Sequence, residues 1–133
     1  MSVTWNWYKC DQILYFKFED QWEPAQFRTA LSGAGDIIKT ATTPIDRIFD
    51  FSRAGNLPQE AISQVIQAMN CPMRPACRGS IVVIQPSEDL LKFIRITQKA
   101  MRTTDFHMAH DLRQARQIVF NLQRQRRAAV YHT

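Results

Sequence analysis

Ser80-Ile81-Val82-Val83-Ile84-Gln85 sets four consecutive β-branched side chains between two polar ones. Side chains stiff at χ1 suit a pleated strand. An apolar run without alternation belongs to a strand covered on both faces, as in a parallel sheet flanked by helices. This stretch therefore predicts a central strand and an α/β class, and the rest of the chain is read outward from it.

Toward the C-terminus, Ser87 is a good N-cap, and Glu88 and Asp89 in the first turn suit the helix dipole. The helix is predicted to reach about Met101, and Asp105 to Ala109 reads as a weaker strand. Asp111, with Gln114 three positions on, forms a capping box for a last helix that buries Leu112, Ala115, Ile118, Val119 and Leu122. Beyond Gln125 the apolar pattern fades, which predicts a frayed basic tail over 126–133.

Toward the N-terminus, Pro58 fits the first turn of a helix whose Ala61, Ile62, Val65, Ile66 and Met69 share a face. Asp46 to Ser52 (DRIFDFS) suits a buried strand. Glu23-Pro24 opens a helix to about Thr40, with Phe27, Ala30, Leu31, Ala34, Ile37 and Ile38 at helical spacing. Gly33 and Gly35 each cost about 1 kcal/mol inside it, which predicts a backbone lying close to the sheet. Thr4 to Lys9 and Ile13 to Phe18 (ILYFKF) read as an antiparallel hairpin closed around Cys10-Asp11-Gln12. The expected order is ββαβαβαβα: a single α/β domain over 1–133, with a mixed sheet of about five strands and about four helices.

The composition fits this size. The chain has 133 residues, 45% hydrophobic and 22% charged, with four Gly and six Pro. Those values exclude collagen-like and linker compositions, and no apolar run approaches the roughly 20 residues of a membrane span. The first residues show no secretory signal, so a cytoplasmic location is expected. Three cysteines, Cys10, Cys71 and Cys77, are read as free thiols. Charge is the unusual feature: a net +5 with a pI near 9.4. Residues 1–66 carry 6 basic and 8 acidic side chains, whereas 67–133 carry 11 and 4.

The candidates for chemistry are weak. His107 and His110 fall on opposite faces of a strand, and Cys71 and Cys77 are spaced too widely for a zinc knuckle, so no metal or cofactor is expected. Gly33-Ala34-Gly35 lacks the third glycine and the preceding strand of a dinucleotide fingerprint. Asp46 and Asp50 suggest a carboxylate site without a second acidic cluster or a lysine to complete it. Nothing requires an enzyme.

Lys92, Arg95, Lys99 and Arg102 form one stripe opposite Leu90, Phe93, Ile94 and Met101, and Arg113, Arg116, Arg124, Arg126 and Arg127 add to the last helix and tail. They suit a nucleic acid or an acidic lipid, and they equally suit the solvated face of an amphipathic helix. Aromatic residues interleaved with them, the mark of single-strand binding, are absent there. A small ligand at the C-terminal ends of the strands is a further class.

With strand Ile48-Phe49-Asp50-Phe51-Ser52, a helix from Pro58, strand Ile81-Val82-Val83-Ile84 and the closing Phe106-His107-Met108-Ala109-His110-Asp111-Leu112-Arg113-Gln114-Ala115, the chain resembles STAS-like domains. These are the anti-sigma-factor antagonist and sulphate-transporter C-terminal modules, and the resemblance spans almost the whole chain. It implies a non-enzymatic module that recognises a protein partner, in signalling or regulation. Recognition would fall on the loop after the third strand and the following helix start, here Arg53, Asn56, Gln59 and Glu60. Phosphorylated members carry a Ser or Thr at that helix start, whereas this chain reads Leu57-Pro58-Gln59-Glu60-Ala61. Neither Ser52 nor Ser63 takes that place, and Glu60 suits a fixed negative charge there and equally a favourable first-turn acid. An aromatic edge at Trp5 and Trp7 would suit a homodimer.

Overall fold

Five strands lie side by side in the order in which the chain makes them. The computed structural model describes residues 3–9, 12–20, 22–54, 79–100 and 105–131. Its elements are β1 (Val3–Lys9), β2 (Ile13–Asp20), α1 (Pro24–Thr40), β3 (Asp46–Ala54), β4 (Ile81–Ile84), α2 (Glu88–Ala100), β5 (Phe106–Ala109) and α3 (Leu112–Tyr131). β1 is antiparallel to β2, and β2 through β5 are mutually parallel. The expected α/β class and mixed five-stranded sheet are observed. Three helices are described; the helix expected from Pro58 falls outside the described residues.

The two faces of the sheet are covered unequally. On one, α1 and α2 bury Phe27, Ala34, Leu90 and Ile94 against Phe16, Phe18, Phe49, Ile81 and Val83. On the other, α3 sets Ala115 and Val119 against Ile48, Val82, Ile84 and Ala109. Ile81 to Ile84 are all fully buried, which is why this strand shows no alternation in sequence. The first face is aromatic: Phe16 stacks on Phe49 at 4.9 Å, and Phe18 stacks on Phe51 at 4.3 Å. Trp5 and Trp7 are partly buried against this core.

Glycine marks two close approaches. A Cβ on Gly33 would lie 2.7 Å from Trp5 Nε1, so α1 does pass close to the sheet there, while Gly35 faces open space. A Cβ on Gly79 would come within 2.1 Å of the Ile45 carbonyl oxygen, so only glycine fits at the entry to β4.

Two expectations are corrected. Phe93, placed on the buried side of its helix, is 48% exposed, because Leu90 and Ile94 point at the sheet and Phe93 falls to the flank. The last helix does not fade beyond Gln125 but continues to Tyr131. The reason is a tether: Asp46, fully buried at the start of β3, accepts hydrogen bonds from Gln123 Nε2 at 2.9 Å and Arg126 Nη2 at 2.6 Å. Its other oxygen accepts from the Ser80 N–H at 2.8 Å and the Ser80 hydroxyl at 2.9 Å.

Candidate functional site

At the C-terminal edge of the parallel strands, β3 outruns its neighbour. It pairs with β4 from Arg47 to Asp50, then continues to Ala54, paired among the described residues only with β2, Glu19 facing Arg53 and Asp20 facing Ala54. A register shift after Lys17 gives β3 one extra residue, which bends the strand as bulges do. Ser52 and Arg53 are exposed on this overhang. Asp20 (φ 51°) and Gln85 (φ 48°) end β2 and β4 at the same edge in left-handed backbone. Such conformations are uncommon outside glycine and cluster where a fold serves a site.

The helix starts gather at this edge too. Ser87 Oγ accepts the Leu90 N–H at 3.2 Å, and Asp111 Oδ1 accepts the Gln114 N–H at 2.8 Å. Gln114 Oε1 in return accepts the His110 N–H at 2.6 Å, completing the expected capping box one residue early. Gln26 Oε1 accepts the Glu23 N–H at 3.0 Å before α1. Gln85 Nε2 donates to the His110 carbonyl at 2.8 Å, linking the ends of β4 and β5.

Below the overhang, the Tyr15 hydroxyl donates to Asp50 Oδ2, and Asp50 Oδ1 accepts the Ser52 N–H at 2.9 Å. Burial, then the hydrogen bond to Asp50 and the Asp50 and Glu19 charges, hold the Tyr15 hydroxyl well above the usual tyrosine range. The Arg53 charge opposes them. Asp46 and Asp50 do not share a site. Four residues along one strand separate them by about 13 Å, and each is engaged by its own donors.

The other sequence candidates divide. Arg53 is described; Asn56, Gln59 and Glu60 are outside the described residues, as are Arg102 and the three cysteines. Lys92, Arg95 and Lys99 line one open groove of about 440 Å³ with Glu88, Leu91 and Ile96. The stripe is thus mixed with apolar side chains, and Ile96 is 55% exposed. His107 lies in β5 with Nε2 2.8 Å from Asp105 Oδ1 but not aligned as a hydrogen bond, and His110 lies beyond the strand. Among the described residues no group of three or more His, Cys, Asp or Glu could hold a metal ion.

One grouping escaped the sequence. Phe120 of α3 lies between Lys9 of β1 and Arg116, each cation 5.5 Å from the ring centroid. Aromatic and basic residues do therefore interleave on the last helix, contrary to expectation. The signal was present in the spacing of Arg113, Arg116, Phe120, Arg124 and Arg127; the contribution of β1 was not. The chain was compared with protein-family models, with curated proteins and with solved structures, and none of the three gave a match.

Proposed function

We propose that this chain is a non-catalytic interaction module of the STAS-like kind, which recognises a protein partner at the C-terminal edge of its parallel strands. The observation that carries the reading is the β3 overhang. Exposed Arg53 stands there on a strand whose far side β4 no longer covers, between two strand ends held in left-handed backbone. Open α/β sheets present their recognition loops at this edge. The sheet order, with one antiparallel edge strand and four parallel ones, agrees with the resemblance. Asn56, Gln59 and Glu60 follow Arg53 in sequence and complete the proposed surface. The segment Leu57-Pro58-Gln59-Glu60-Ala61 carries no hydroxyl, so partner choice here does not depend on phosphorylation at that place.

Arg53→Glu tests it. The tagged chain and the variant are used for pulldown from lysate, each with and without nuclease, and compared by quantitative mass spectrometry. The expected result is a nuclease-resistant protein retained by the parent chain and lost by the variant, with unchanged circular dichroism. Identical retained proteins would refute the surface.

A further inference from the structure

The second surface lies on the opposite side of the molecule from α1 and α2 and goes beyond the proposed function. Among the described residues, α3 packs over β3, β4 and β5 and leaves the same face of β1 and β2 largely uncovered. Asn6, Tyr15 and Lys17 belong to that open half, with Tyr8 and Tyr15 partly buried beside Phe120 in one cluster. At 100° per residue, Arg113, Arg116, Phe120, Arg124 and Arg127 share a sector of about 80°. At 1.5 Å per residue the stripe is about 21 Å long. All four arginines are exposed, and among the described residues none is ion-paired. Arg126 is excluded from the stripe because it holds Asp46.

We infer that the strip between α3 and the open half of the sheet binds a single-stranded nucleic acid. The four arginines and Lys9 meet phosphates, and Phe120 offers its ring to a base. A base stacks by replacing one of the two cations now over the ring, and that cation moves to a phosphate. Charge complementarity identifies a polyanion, and the aromatic ring among the cations distinguishes nucleic acid from other polyanions, since stacking tolerates any base. An acidic membrane fits less well. Surface helices that bind lipid expose apolar side chains to insert. Among the described residues the exposed large apolar ones, Phe93 and Ile96, lie on α2, on the other face.

The test is fluorescence anisotropy with the full chain and labelled 12-nucleotide single-stranded RNA and DNA of mixed sequence. A duplex of the same length and phosphatidylserine-containing vesicles serve as competitors. Binding of the single strands is expected to exceed that of the duplex and to fall about 130-fold between 50 and 200 mM salt, as five released counterions require. Replacing Arg113, Arg116, Arg124 and Arg127 together by Gln, which keeps helix propensity, should weaken binding at least about 30-fold. Phe120→Leu should weaken it about 5-fold. Replacing Lys92, Arg95 and Lys99 by Gln should change it less than about twofold, because they sit on the other face. Photocrosslinks from 4-thiouridine RNA should map to peptides containing Phe120 or Tyr8. Any of four results overturns the inference: no binding at 50 mM salt, preference for duplex or vesicles, equal loss from the α2 variant, or crosslinks confined to other elements.

Discussion

Asp46→Ala should unfold this protein more readily than any other single change of a polar side chain to alanine. The carboxylate is fully buried and accepts four hydrogen bonds, two from Ser80 and one each from Gln123 and Arg126. These do not count equally. The Arg126 side chain is 34% exposed and regains water when its partner goes, whereas the Ser80 donors are buried and are left unpaired. Two buried bonds to a charged acceptor, at about 1.5 kcal/mol each, give about 3 kcal/mol. Unfolding entropy for a chain of this length is about 0.28 kcal/mol/K, so Tm should fall by about 10 °C. Asp46→Asn keeps an oxygen for Ser80 and should lose about half as much. Urea unfolding followed by tryptophan fluorescence measures both. Asp46→Ala and Arg126→Ala should be non-additive by about 0.5 kcal/mol or more, since they share one interaction. A loss below 1 kcal/mol for Asp46→Ala, or strict additivity of the pair, would refute the tether.

Further predictions separate packing from charge. Gly35→Ala faces open space and should stabilise α1 by about 1 kcal/mol, whereas Gly33→Ala should destabilise by about 1 kcal/mol and shift tryptophan emission by displacing Trp5. The buried Arg47 guanidinium has no partner at Nε or Nη2 among the described residues, and burial lowers its pKa to about 10 despite the opposing Asp46 charge. Arg47→Met should therefore raise stability by about 1 kcal/mol in urea unfolding, and a loss of that size would contradict it. Tyr15 binds its proton more tightly folded than unfolded, so stability is independent of this group below about pH 10 and falls as pH rises beyond that. Tyr15→Phe should flatten that alkaline decline in urea midpoints measured from pH 9 to 11.

The parts legible in the sequence were those set by neighbours along the chain. β4 was visible because two covered faces leave an unbroken apolar run. α1 was bounded by Pro24 at its start, and Asp111 announced α3 by its own cap. What escaped was made by distant partners. Asp46 looked like half a carboxylate site because its donors lie 34 to 80 residues away. The same tether explains the misread end of α3: Arg126 carries no apolar signal, yet it anchors the helix through its charge. Phe93 was misplaced because a helical wheel gives a direction without saying how far the sheet extends. Of the proposed recognition surface, Arg53 alone is described, and its exposure follows from β3 outlasting β4, a length difference visible only once the strands are paired.

The sheet order has a bearing on how the chain assembles as it is synthesised. Each described strand joins the free edge of the one before it, so none has to be threaded between two already paired. The face under α1 can close while later strands are still being made, because β1, β2 and α1 pack on one another first. The opposite face must wait, with Ile48, Val82 and Ile84 open to water until α3 emerges. Gln123 and Arg126 reach Asp46 only near the end of that helix, so the buried carboxylate acts as a late latch. A ribosome stalled before residue 123 would hold a sheet half-clothed, which is where a chaperone should engage it.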